Sequence, residues 1–156
     1  MIAEVHLHTP RGEAARREVE QVCRLLTFDN ELWVQARGAS KVPRCAKLGG
    51  IAYRPPVGDE KRTGLQRFLA APHMFAAGYG SCCDIAPYDA AVLRQLYGVE
   101  ATPVVPAQGP TSYHVNVLTP WGVYDPTFRW DDPAYVLPPL EWPKARRDAA
   151  IRRLCA

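Results

Sequence analysis

Fifteen prolines are spread through 156 residues, about twice the usual share. Each removes a backbone donor and fixes φ, so none is comfortable inside a long helix or a central strand. The chain is therefore expected to form many short, interrupted elements joined by frequent loops. At this length one domain, residues 1–156, can bury a core without disulfides or a structural metal. Hydrophobic residues make up 47% and charged residues 22%, the balance of a globular protein. No apolar run reaches the roughly 18 residues that suggest a membrane span, so no membrane partner is expected.

Five cysteines, at positions 23, 45, 82, 83 and 155, are odd in number and widely spread. A disulfide framework is not expected, and a reducing compartment is. Met1 to His8 carries neither the basic start nor the long apolar stretch of a secretory signal. The formal charge of +3 comes from dispersed bases, which gives no reason to expect a nucleic-acid partner.

Taken in order, Ile2 to His8 alternates imperfectly and predicts a short edge strand. His6 and His8 share one face of it, with no third ligand nearby to make a metal site. Thr9-Pro10 predicts a helix start, and Ala15, Val19, Val22, Cys23 and Leu26 carry that helix to about residue 27. Asp29-Asn30 predicts the cap of a second helix through Ala36, anchored by Leu32 and Trp33. Residues 47–60 read as a surface loop, punctuated by Gly49-Gly50, Pro55-Pro56 and Gly58-Asp59. Leu65, Phe68 and Leu69 predict a brief helix that Pro72 ends, and His73 reads as structural.

The stretch Gly78-Tyr79-Gly80-Ser81-Cys82-Cys83-Asp84 comes next. Two glycines allow a sharp turn straight into a cysteine pair. A cysteine delivered to a helix N-terminus sits where the dipole favours its thiolate; the alternative is simply the buried start of a helix. Ala86, Ala90, Leu93 and Leu96 then predict an amphipathic helix closed by Gly98, with either Asp84 as its N-cap or a bend near Pro87. Val99 to Val105 predicts an edge strand interrupted by Pro103, followed by a loop over 106–110.

Ser112 to Leu118 and Val123 to Thr127 alternate around the turn Thr119-Pro120-Trp121-Gly122 and predict a hairpin. Centred on Pro120-Trp121, it pairs residues whose numbers sum to 241. His114 then faces Thr127, Asn116 faces Asp125, and His114 and Asp125 are diagonal neighbours about 7–8 Å apart at Cα. From Phe128 prolines and aromatics alternate until Pro143 opens a last helix bearing Lys144, Arg146, Arg147, Arg152 and Arg153. Ala150, Ile151 and Leu154 give that helix a narrow apolar face. It reads as a solvated basic helix packed by that face, with contact to an acidic protein partner as the sharper alternative.

A cysteine nucleophile needs a base, and the base needs a partner that fixes its tautomer. Cys82, His114 and Asp125 supply these in that order. The amides of Cys82 and Cys83 are placed to hold an oxyanion, and Asn116 to orient the carboxylate or line the cleft. Cys83 is the competing thiol, or the partner of Cys82 in a strained vicinal disulfide. A metal site from Cys82, Cys83 and His114 is disfavoured because adjacent cysteines lack the spacing that zinc prefers.

The run from Gly78 through Cys82, Asp84 and Ala86 into a helix, then Gly98-Val99, then His114-Val115, then Val123-Tyr124-Asp125-Pro126-Thr127, resembles the transglutaminase-like cysteine superfamily. The likeness is greatest to its small bacterial and phage-encoded members and covers about Tyr53 to Thr127, with strand and helices before it and a loop and basic helix after it. Ser81 stands where these members usually have aspartate, and Cys83 where an acidic residue is common. The resemblance implies a papain-like α+β fold, with the nucleophile's helix packed on a small antiparallel sheet. It implies Cys82 as nucleophile, since Asp84 and Ala86 take the family's places two and four residues on, His114 as base and Asp125 as acid. The implied reaction is cleavage or transfer of a peptide or protein amide or isopeptide bond, without a cofactor. Water is the preferred acceptor because no amine pocket is recognisable. The other implied role is a catalytically idle structural or interaction module, for instance in a phage particle, which makes the cytoplasm or a virion the expected location. Acyl transfer from a thioester, as in arylamine acetyltransferases, ranks last.

Overall fold

The computed structural model describes residues 1–6, 13–55, 65–106 and 114–155. Among these the fold is mixed α+β, with four α-helices and three small sheets. In chain order they are β1 (Ile2–His6), α1 (Glu13–Arg37), β2 (Ala52–Tyr53), β3 (Leu65–Leu69), α2 (Ala71–Ala77) and β4 (Tyr79–Gly80). α3 (Cys82–Tyr97), β5 (Thr102–Val104), β6 (Asn116–Thr119), β7 (Gly122–Tyr124) and α4 (Lys144–Leu154) follow. The expected helix start at Thr9-Pro10 lies outside the described residues.

No glycine or proline interrupts residues 13–37, and the two helices expected there are one helix of 25 residues. A capping residue caps only where the chain leaves helical geometry. Asp29 and Asn30 do not, and serve elsewhere: Asp29 takes the Met1 ammonium at 3.1 Å, and buried Asn30 accepts the Ala71 N–H at 2.7 Å. The stripe Ala15, Val19, Cys23, Leu26 and Val34 is buried, and α1 packs chiefly against α3. Leu32, expected as an anchor, is half exposed; Trp33 does anchor, stacked on Phe75 at 5.6 Å.

Leu65–Leu69 is a strand rather than a helix. It pairs antiparallel with β1, from Ile2 opposite Leu69 to His6 opposite Leu65. Its inward residues include Gln66 and Phe68, with Arg67 exposed between them; a glutamine at an inward position hides the period of two. Pro72 does not end a helix but lies in the first turn of α2, where its missing N–H costs nothing. Gly78 closes α2 in the left-handed conformation at φ 73°, and β4 then runs parallel to β2. Of the surface loop expected over 47–60, the described residues 47–55 are exposed or half-buried apart from Ile51, and Ala52–Tyr53 within them form β2.

β5, β6 and β7 form an antiparallel sheet in that order, with Pro103 tolerated because β5 is its edge. Val115, Val117 and Tyr124 are buried. α4 packs by Ile151, and Cys155 bridges back to Tyr124. No helix among the described residues is long and apolar enough to cross a membrane.

Two polar groups fasten these parts. The Lys47 ammonium donates to the Arg129 and Tyr135 carbonyls at 2.7 and 2.9 Å and lies over the Trp130 ring, pinning the loop after Thr127. Asp89, at the centre of α3, accepts the Ala46 N–H at 2.8 Å and the Tyr124 O–H at 2.9 Å. Burial pushes its carboxyl up from 3.8 to about 7, against the pull of those donors and Lys47.

A carboxyl that binds its proton more tightly folded than unfolded adds most stability below pH 3.8, and loses it as pH rises towards about 7. The change corresponds to about 4 kcal/mol. Asp89→Asn removes the charge while its Oδ1 can still accept the Ala46 N–H and its Nδ2 donate to the Tyr124 oxygen. Urea unfolding between pH 4 and 8 should show wild-type stability declining relative to Asp89→Asn by an amount of that order, flattening above pH 7. Parallel curves would mean that Asp89 folds ionised.

Candidate active site

The site begins where α3 begins. Ser81, and not Asp84, is the N-cap: its hydroxyl accepts the Cys83 N–H at 3.2 Å. Asp84 closes the capping box from the third helical position, its Oδ2 accepting the Ser81 N–H at 2.8 Å and the Ser81 O–H at 3.0 Å. Its Oδ1 accepts the Leu69 N–H at 2.7 Å. A Cβ at Gly80, just before this box, would lie 2.9 Å from the Met74 sulfur, so any larger residue there would force the Met74 side chain to move.

Pro87 sits inside α3. The carbonyl that its absent N–H leaves free is that of Cys83, four residues back. The Cys23 thiol reaches it at 3.7 Å, so the freed carbonyl is not left unpartnered, and α3 runs unbroken from Cys82 through Pro87 to Tyr97. Cys82 is therefore the first helical residue, and its N–H lies in the turn that has no intrahelical acceptor. The Cys83 N–H is committed to Ser81 and is not available to an oxyanion.

The hairpin has the expected register: Val117 faces Tyr124, Leu118 faces Val123 and Thr119 faces Gly122. His114 and Asp125 flank the paired residues, and His114 Nε2 lies 2.9 Å from Asp125 Oδ2. Cys82 lies beside this ring, and His114 acts to lower its thiol; with Nε2 on Asp125, Nδ1 is the nitrogen left for the sulfur. The Val115 N–H donates to the same sulfur. Of the adjacent thiols, Cys82 is thus the one that meets the histidine. Cys83 is fully buried and receives the Gln66 amide at 2.9 Å.

Among the described residues Asn116 makes no hydrogen bond to Asp125; it is buried, and its Oδ1 finds no partner among them. Thr127 holds the carboxylate instead, donating both its N–H and its O–H to Asp125 Oδ1 at 2.9 and 2.8 Å. Tyr53 lies beside Thr127, which works against the burial that raises its phenol, and packs against Trp130, with ring centres 5.9 Å apart. Neither Thr127 nor Tyr53 was assigned a role from sequence. For Thr127 a signal was present, because a threonine two residues after an aspartate closes a local side-chain turn. His73 is exposed and joins nothing at the site. No group of three His, Cys, Asp or Glu among the described residues is arranged to hold a metal.

The hydrogen bond to Asp125, reinforced by that to Cys82, pushes His114 up from 6.5 to about 10 against the effect of burial. Burial works to raise Asp125, but the bonds from His114 and Thr127 outweigh it and hold the carboxyl below its usual range. The Cys83 thiol and burial together push Cys82 well above an ordinary thiol, while His114 and the Val115 N–H pull it down. Asp125 thus favours the charged form of His114, while the Cys82 thiol is pulled towards its neutral form by Cys83 and burial and towards the thiolate by His114.

Compared with protein-family models, curated proteins and solved structures, the chain finds no match in any of the three.

The His114–Asp125 pair stabilises the fold within a bounded window. Asp125 contributes above pH 3.8 and loses that contribution as pH falls through its lowered value. His114 contributes fully below 6.5 and loses that contribution as pH rises through about 10. Asp125→Asn removes the largest upward effect on His114. Imidazole resonances in that variant are expected to titrate at least one pH unit lower, on the order of a lost charged hydrogen bond. An unchanged titration would separate Asp125 from the charge on His114.

Proposed function

We propose that this chain is a cysteine acyl-transfer enzyme of papain-like arrangement that cleaves an amide or isopeptide bond in a peptide or protein. The observation that carries the proposal is the contiguous line Cys82 thiol, His114 ring and Asp125 carboxylate at the start of α3. The Cys82 sulfur attacks the carbonyl carbon while its proton is held on His114 Nδ1. The Cys82 N–H, at the positive end of α3, supports the oxyanion. His114 then protonates the departing amine as the C–N bond breaks, leaving a thioester on Cys82. Water, deprotonated by His114, attacks the thioester, releasing the acid and restoring the thiol. Asp125 keeps the ring in position and stabilises its charge, and no cofactor is invoked.

One observation favours the second reading, an idle module of the same fold. Cys82 is only 3% exposed, and its thiol is held neutral by Cys83 and burial.

The two readings part on the reactivity of Cys82. In native protein, iodoacetamide followed by peptide mapping should label Cys82 with a rate that climbs at alkaline pH, above an ordinary thiol's 9.0. Cys83→Ala, which removes the largest raising effect, should move that profile to lower pH. For the enzyme reading, His114→Ala should also reduce hydrolysis of a fluorogenic peptide-amide library by about 100-fold or more. A library left untouched by wild-type protein, with a Cys82 profile indifferent to His114→Ala, would sink the enzyme and leave the module.

A further inference from the structure

A groove beneath the C-terminal helix takes no part in the triad. It lies between residues 133–142 and α4, and encloses about 330 Å3, a volume that accommodates a small ligand or a few side chains. Leu137 and Leu154 give it an apolar floor, Trp142 and adjoining prolines a wall, and Arg44 and Arg153 open onto it. Arg44 is fixed in place, its Nε donating to the Leu137 carbonyl at 2.8 Å. Neither arginine forms an ion pair among the described residues. The acids of these elements are engaged elsewhere or stand apart: Lys144 holds Asp148 at 2.5 Å, Arg129 approaches Asp132 at 4.0 Å, and Glu141 does not line the groove.

Two uncompensated guanidinium groups above an apolar floor suit a carboxylate carried beside an apolar side chain. The proline wall offers few N–H donors, so recognition falls to side chains rather than to an added strand. A nucleic acid fits less well: its phosphates bring nothing apolar for the floor, and Arg146, 3.8 Å from the Trp142 ring centre, takes the place a stacking base would need on that face.

We propose that this groove binds an acidic segment of a protein partner, in which glutamates flank apolar residues. An apolar side chain rests on Leu137 and Leu154 while carboxylates meet Arg44 and Arg153. The site is separate from the Cys82 line and stands whether or not that line turns over substrate.

The test uses the whole chain and a fluorescein-labelled peptide, Ala-Leu-Glu-Pro-Leu-Glu-Ala, followed by anisotropy. Expected is saturable binding, weakened at least about tenfold when glutamine replaces both glutamates, and by a similar factor in the Arg44→Gln/Arg153→Gln double variant. Arg17→Gln, on α1, should bind as wild type. If loss of the Arg44–Leu137 bond unfolds the double variant, Arg153→Glu alone, on an exposed side chain, must still weaken binding by about tenfold. Equal binding by Arg153→Glu and wild type overturns the proposal. So does equal affinity for a thymidine oligonucleotide, which would make the face a general polyanion surface. Self-association in sedimentation that Arg153→Glu abolishes would also overturn it, by making the groove a contact between copies.

Discussion

The Asp84 carboxylate is the group on which the site's position depends. Almost fully buried, it accepts hydrogen bonds from the Leu69 N–H, the Ser81 N–H and the Ser81 hydroxyl. A charge in such a place is tolerable only because its acceptor sites are filled and the positive end of α3 lies against it. Its bonds do two things at once: they end the approach through Gly80 and start a helix at Cys82, and they tie that start to β3. β3 is itself held by β1, so the N-terminal strand reaches the candidate nucleophile through one carboxylate. With the Asp84 acceptor gone, the buried Leu69 N–H would be left unpaired, at about 1–3 kcal/mol, and the two part-buried Ser81 donors would lose their acceptor as well.

The same device recurs wherever the chain turns. Prolines deprive loops of N–H donors, and short loops leave carbonyls facing inward with no strand to pair them. Lys47 gathers the carbonyls of the loop after Thr127. Asp89 joins the turn at Ala46 to Tyr124, the residue before Asp125. Tyr88 and Tyr97 donate their phenols to the Pro43 and Pro138 carbonyls. Side chains from α3 and from the 44–47 turn thus take the place of backbone ladders. The hairpin bearing His114 and Asp125 is fixed against α3 by polar links as well as by Val115 and Val117.

What was legible in the sequence was what nearby residues decide. The hairpin register follows from a two-residue turn and from Val117 and Tyr124 needing one face, since a slip of one residue would expose both. Gly98 and the edge position of Pro103 are local in the same sense. What was not legible depended on distant partners. Leu65–Leu69 is a strand because β1, some sixty residues earlier, pairs with it. Asp29 and Asn30 carry cap chemistry but meet Met1 and Ala71 instead. At the site, Cys82, His114 and Asp125 were found by residue type and order. Thr127 carried a local signal in its place two residues after Asp125, where it closes a side-chain turn, whereas Tyr53 comes beside Thr127 only through the fold and has no spacing to announce it. Asn116 misled because facing Asp125 across a hairpin does not itself make a hydrogen bond.

Pro87 links the composition of the chain to the chemistry of the site. Its place in α3 frees the Cys83 carbonyl, and the carbonyl draws the Cys23 thiol of α1 against it. That contact, with the Gln66 amide on the Cys83 sulfur, sets Cys83 in the core immediately behind Cys82. A second thiol beside the first is the largest influence holding Cys82 neutral. His114, whose charged form Asp125 favours, pulls the other way. The balance between thiol and thiolate at Cys82 is therefore set by two opposed consequences of the fold: a proline accommodated within the helix, and an Asp-Pro-Thr turn that fills every acceptor of a carboxylate except the one facing His114.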